Sequence, residues 1–200
     1  MCLFLPLGIC HLDEKLAFGP TDSFKTRTEL GTFLDRCGGI CDAQTDQEST
    51  IYALSIDRSE LENGVLLLVE SAFRPQISTD NVSEAFVNVE NEVKYLQYER
   101  IRDKEVVELT IEAGYQMQNI GVPRSMSEST FGGFNADDWT DSVRQYRHAN
   151  YLRSDPSIVG VGVTMDELER AVRKITHLIE KPSWVSGETI IIAIRILLSV

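Results

Sequence analysis

Cysteine is scarce: four residues in 200, at Cys2, Cys10, Cys37 and Cys41, too few and too unevenly placed for a secreted disulfide scaffold. Cys37 and Cys41 bracket Gly38-Gly39 as C-x-x-x-C with no second ligand pair, so ordinary reduced thiols are expected there rather than a metal site. Positive charge is short as well. Nineteen Lys+Arg against 31 Asp+Glu leave a net charge of −12 and a pI near 4.7. Such a surface repels phosphate backbones, which argues against nucleic acid and in favour of a cationic ligand. No apolar run is long enough to cross a bilayer. Residues 1–10 are greasy but carry no basic residue ahead of them, unlike a secretory signal, and they are equally unlike an Arg- and Ser-rich presequence. Residues 190–200 are apolar but hold Arg195 and are far too short to span, so they need a core or a partner to cover them. Both ends read as cut. Pro and Gly gather into no linker, and no segment is of low complexity. What remains is ordinary globular material, 42% hydrophobic and 25% charged, enough for a single domain or two cramped ones and long enough to bury a core.

The punctuation along the chain predicts an α+β order. Residues 11–18 suit one or two helical turns, and Leu30, Phe33 and Leu34 suit a second helix stopped by Gly38-Gly39. From Ile40 to Asp57 the texture is strand, with Thr50, Tyr52, Leu54 and Ile56 alternating onto one face. Ser59-Glu60-Leu61-Glu62 has the form of a capping box, opening a helix through Leu61, Val65, Leu68 and Ala72 to a stop at Pro75. A longer helix is expected from Ser78 to Asp80 onward, because Val82, Phe86, Val89, Val93 and Leu96 make one stripe. Another is expected over Glu105–Met117, followed by a loop over Asn119–Phe134, and Trp139, Val143 and Tyr146 mark a further helix. Ser157–Val163 reads as a buried strand, and Thr164 with Glu167 as a second capping box ahead of Leu168, Ala171, Val172, Ile175 and Leu178.

The informative stretch is His11-Leu12-Asp13-Glu14-Lys15. On a helix, positions i, i+3 and i+4 share a face, so His11, Glu14 and Lys15 point to one spot. Inverted zinc peptidases carry H-x-x-E-H in that pattern, where two imidazoles bind the metal and the Glu acts as general base. Here Lys15 stands at the second His, and an ammonium has three donors and no lone pair.

The wider text resembles the insulinase-like (pitrilysin) metallopeptidases, and specifically the alpha-type branch that serves the processing of imported mitochondrial precursors. The run from Gly8 through Ile9, Cys10, His11, Leu12, Asp13, Glu14, Lys15, Leu16 and Ala17 to Phe18 is similar to that branch's G-I-A-H-F-L-E-K-L-A-F. Phe24 to Leu34, Cys37 to Thr45, Thr50-Ile51-Tyr52-Ala53, Arg74-Pro75, Glu112-Ala113-Gly114-Tyr115 and Gly160 to Val163 continue the resemblance over residues 8–178. It implies an α+β fold, a sheet packed against helices over residues 8–180, incomplete at the amino end, with 1–7 and 181–200 unassigned. The departures are an absent second half with its glycine-rich loop, no strands ahead of the His motif, no transit peptide, and a charge at Asp13 where the family is apolar.

By that resemblance His11 matches the first zinc ligand, Glu14 the general base, and Glu92, 81 positions beyond His11, the third ligand; Lys15 replaces the second. The site is thus expected to be vestigial: no catalytic residue, no metal ligand and no cofactor of its own, with binding residues unassigned. The branch is catalytically inert alone. It pairs with a zinc-bearing beta subunit in the mitochondrial matrix or at the matrix face of the inner membrane, and helps bind basic presequence peptides, a task that suits an acidic chain. The alternatives are a structural core protein of the respiratory cytochrome complex, similar in sequence and also without the zinc site, and a truncated copy without function. Two remaining ligands would give an active zinc enzyme only weak, pH-sensitive metal binding. Lys15 is expected to take the metal's place electrostatically between Glu14 and Glu92; the competing expectation is a solvated Lys on a helix surface.

Other residues carry less. His148 and His177 are expected as surface or packing residues. Gly132-Gly133 and Gly160/Gly162 lack the Lys-Ser/Thr of a phosphate loop, and no G-x-S-x-G elbow exists. Asp137-Asp138 suit a helix N-terminus, and Glu84 and Glu90 a solvated helix face.

Overall fold

A computed structural model describes residues 8–45, 49–98, 106, 110, 113–114, 133, 135–151, 155–179 and 191–197. The helix expected over 105–117 and the loop expected over 119–134 lie for the most part outside the described residues, as do residues 1–7. The chain divides into two compact units, one of residues 1–15, 45–49 and 77–146, the other of 16–44, 50–76 and 147–200.

The described helices of the first unit are built as follows. Its α1 (Ile9–Glu14) starts at Gly8, whose φ of 77° is left-handed and suits glycine, and lies against α4 (Thr79–Tyr98). The stripe read from the sequence is the reason α4 packs: Val82, Phe86 and Val89 are buried and Val93 half-buried, while the Leu96 side chain lies outside the described residues. The helix opens at Ser78, whose hydroxyl accepts from the Asn81 amide at 3.2 Å. The helix α5 (Ala136–Asn150) contributes residues 136–146 to this unit, with the Trp139 ring 6.2 Å from that of Phe86. Asn135 caps it, accepting from the Asp137 amide at 3.0 Å, so Asp137 and Asp138 sit in the first turn where the helix dipole favours negative charge.

The second unit is built on a four-stranded sheet of order β1-β2-β4-β3, from β1 (Ile40–Thr45), β2 (Thr50–Ser55), β3 (Asp155–Val161) and β4 (Ile191–Leu197). The strand β4 runs parallel to both neighbours, with Tyr52 opposite Ile194 and Ile194 opposite Ile158. The sequence left residues 181–200 unassigned; 191–197 form an inner strand of the sheet. On the face carrying Tyr52, Leu54 and Ile56, all buried, lies α3 (Leu61–Phe73). It approaches closely because Gly64 has no side chain: a Cβ there would meet Leu54 and Ile56 carbons at 3.2 Å. Beside α3 packs α6 (Met165–Ile179), with Leu168, Ala171 and Ile175 buried. A further helix, α2 (Arg27–Arg36), buries Leu30 and Phe33 and gives way to Gly38 at φ 60°. The α+β reading therefore holds, with a sheet packed against helices.

Two local expectations are corrected. The helix α3 is not opened by a Ser59 capping box. Asp57 instead accepts from the Ser59 amide at 2.8 Å and hydroxyl at 2.6 Å, closing a 3-10 turn over Arg58–Glu60 that leads into Leu61. A carboxylate two residues upstream competes for the same amide and wins. Ser157–Val163 is not a buried strand either. The strand β3 lies at the sheet edge, Val159 and Val161 are exposed, and only the opposite side packs on Leu168. A β-branched run fits an edge strand as well as a buried one. The Thr164–Glu167 capping box does form: the Thr164 amide and hydroxyl both donate to Glu167 at 2.8 Å, and the Glu167 amide donates back at 3.3 Å.

Candidate functional site

The helix α1 is six residues long and buries Ile9, Leu12 and Asp13, which leaves His11, Glu14 and Lys15 on the side toward α4. Glu92 stands on α4 one turn beyond the buried Val89, so the packing of the apolar stripe carries it to the same place. The four side chains named from the sequence converge, all within the first unit.

The geometry centres on Lys15. Its Nζ donates to Glu92 Oε2 at 2.6 Å and to Glu14 Oε1 at 3.1 Å. His11 Nε2 lies 3.4 Å from the same Glu92 oxygen. Glu14 Oε2 accepts the backbone N–H of Thr45 at 2.8 Å, so both oxygens of that carboxylate are engaged. Lys15 is only 25% exposed, which rules out the reading of a solvated surface lysine. Thr45 was not found from the sequence, and could not have been, because a main-chain amide carries no residue signature.

The electrostatics follow. The contact with His11, then the Lys15 ammonium, hold the Glu92 carboxyl down at about 2 against the penalty of burial. Burial works to lower the Lys15 pKa, but the bond to Glu92 and the charges of both carboxylates outweigh it and raise the value above the ordinary range. Next to His11, burial pushes the Cys10 thiol up to about 11, so at neutral pH it is not a thiolate nucleophile.

A divalent zinc ion needs lone pairs at tetrahedral spacing. Here the position beside Glu92 is taken by an ammonium with none, and a second cation there would be repelled. Among the described residues no group of three or more His, Cys, Asp or Glu side chains is placed to hold a metal. The residues present do not fit the zinc of the resemblance, and no chemical step is derived through it.

The other singled-out residues do not join the site. His148 and His177 are exposed on α5 and α6. Cys37 donates from Sγ to the Phe33 carbonyl at 2.9 Å at the end of α2. Glu84 is exposed, and Glu90 pairs with Lys94 one turn on at 2.7 Å. A polar cluster that the sequence did not announce lies in the second unit: Glu70, buried on α3, accepts from the Thr21 hydroxyl at 2.6 Å, the Ser23 hydroxyl at 2.7 Å and the Ser23 amide at 3.0 Å.

Residues 6–128 match the family profile described as Insulinase (Peptidase family M16). Mitochondrial-processing peptidase subunit alpha of Bos taurus is 30% identical over 183 residues, covering 92% of this chain and 34% of that protein. The subunit alpha of Homo sapiens gives the same figures. A protein of Bacillus subtilis named uncharacterized zinc protease YmxG is 29% identical over 168 residues, 84% of this chain and 39% of its own. The chain spans about a third of the length of the curated relatives it matches.

Proposed function

The chain belongs to the insulinase (M16) peptidase family, and from that premise we propose that it acts as a non-catalytic alpha-type subunit of a mitochondrial processing peptidase. In this role it pairs with a zinc-bearing beta subunit in the mitochondrion, at the matrix or the matrix face of the inner membrane, and helps hold basic presequence peptides for cleavage by the partner. The observation that carries the reading is the Lys15 ammonium, 2.6 Å from Glu92 and 3.1 Å from Glu14. The position that resemblance gives to the second zinc ligand bears a cation in place of a donor, and the base carboxylate Glu14 is bound on both oxygens. A chain so arranged supplies binding surface and leaves the chemistry to its partner.

Two further facts support the reading. The relatives named as alpha subunits cover 92% of this chain. A net charge of −12 attracts Arg-rich presequences.

The test is to mix purified chain with a zinc-bearing beta subunit and read cleavage of an Arg-rich presequence peptide. The expected result is a stable pair, with cleavage above that of the beta subunit alone. A chain that neither pairs nor changes cleavage overturns the role.

A further inference from the structure

The mismatch between this site and its family's metal has a structure of its own. Glu14 and Glu92 come from two different helices, α1 and α4, and their carboxylates face one small volume that also holds His11 Nε2. His11 is 12% exposed, and its Nδ1 has no hydrogen-bond partner among the described residues, so packing rather than a second bond holds the ring. Glu14 is 11% exposed and Glu92 33%, so water screens their repulsion poorly. With no cation between them, the two helices would be forced apart by like charge or one carboxylate would have to take up a proton.

We propose that the Lys15 ammonium is the resident cation of this site, cross-linking α1 to α4, and that it and a divalent metal ion are mutually exclusive occupants. Exclusion follows from shared donors. The metal would need Glu92 Oε2, which the ammonium already holds at 2.6 Å, and two cations within bonding distance of one oxygen repel strongly. Because the ammonium is covalently held on Lys15, the residue that caps α1, it cannot be lost to a chelator, and the fold gains independence from metal supply. The inference stands apart from the pairing role, since it concerns only the integrity of the first unit.

The experiment is thermal unfolding of the full chain at neutral pH, with excess chelator and with excess zinc, for the unaltered protein, Lys15→Ala, Glu92→Gln and the double variant. The unaltered protein is expected to melt at the same temperature in both conditions. Lys15→Ala melts roughly 4–8 °C lower in chelator, the scale expected for stranding a half-buried carboxylate pair. Zinc returns at least half of that loss, and does not do so once Glu92 is also Gln. In chelator the double variant is more stable than Lys15→Ala alone, because neutralising Glu92 removes the repulsion; this comparison holds even if Lys15→Ala is largely unfolded. An unaltered melting temperature for Lys15→Ala overturns the proposal. So does stoichiometric zinc uptake by the unaltered protein, a Lys15→Ala variant indifferent to zinc, or a double variant no more stable than the single one.

Discussion

The hydroxyls of Tyr52 and Tyr151 meet at 2.9 Å, 99 positions apart in sequence and both buried, and so tie β2 to the turn that ends α5. Each ring has a second engagement. Phe18 meets Tyr52 edge-on at 6.3 Å, and the Arg147 guanidinium lies 4.1 Å above Tyr151 while donating to the Ala72 carbonyl near the end of α3. The rings keep their packing when a hydroxyl is removed, so Tyr→Phe changes at both positions read the coupling between the two hydroxyls. Tyr52→Phe and Tyr151→Phe are each expected to cost about 1 kcal/mol. The double variant should cost less than the sum, with a coupling of at least ~0.5 kcal/mol, read from urea midpoints at constant m.

Glu70 is 3% exposed and receives three hydrogen bonds from Thr21 and Ser23. Gln76 extends the clamp, donating from its amide to Pro20 and from its side chain to Thr21. Glu70→Gln keeps the shape but turns one acceptor into a donor facing other donors, and should cost about 1–3 kcal/mol. Differential scanning calorimetry should show a fall of roughly 3–8 °C, and protease should cut first within residues 20–24.

Acid should erase the stability that the Lys15–Glu92 link contributes. The folded-state pKa of Glu92 lies at about 2, below its ordinary 4.5, so its contribution is full above about 4.5 and is lost as pH falls toward 2. The Lys15 value is shifted upward, so its contribution persists below its ordinary 10.5 and is lost only when pH rises through the higher folded value. The stability gap between the unaltered protein and Glu92→Gln is therefore expected to be flat from neutral pH to about 5 and to close between about 4.5 and 2. Urea titrations at stepped pH test this; a gap that stayed constant down to the acid end would count against the pairing.

Gly160 on β3 sits where α6 comes close. A Cβ there would lie 2.7 Å from a Val163 methyl and 3.1 Å from a Leu168 methyl. Gly160→Ala relieves the entropic cost of glycine in a strand, about 0.5–1 kcal/mol, but overpacks this contact by about 1–3 kcal/mol. Net destabilisation is expected, and pairing the change with Leu168→Ala should recover part of the overpacking despite the cavity made.

What the sequence disclosed follows from where the information is stored. Val82, Phe86 and Val89 declare α4 because helix periodicity is local, and Thr164 with Glu167 declares the start of α6 for the same reason. The choice between Asp57 and Ser59 as the residue that caps the turn before α3 is a contest over one amide, decided by a geometry that spacing alone does not hold. Val159 and Val161 are as apolar as core residues, and their spacing does not tell that their face of β3 is left uncovered while the other packs on Leu168. At the site, His11, Glu14 and Lys15 were legible from helical spacing and Glu92 from resemblance. The Thr45 amide on Glu14 and the Glu70 clamp join segments 31 and 47–49 residues apart through contacts that leave no local pattern.

The place of β4 sets an order of events during synthesis. Among the described residues, β2 and β3 are joined in the sheet only through β4, whose residues 191–197 are made after both of them. Until those residues emerge, a nascent chain already holding α3 and α6 presents two strands with unsatisfied amides and carbonyls facing one vacant slot. Ribosomal release of β4 is then the step that closes the second unit, and chaperone engagement should end there. A nascent chain stalled before residue 191 should remain chaperone-bound and sensitive to protease, while one stalled with 191–197 outside the exit tunnel should not.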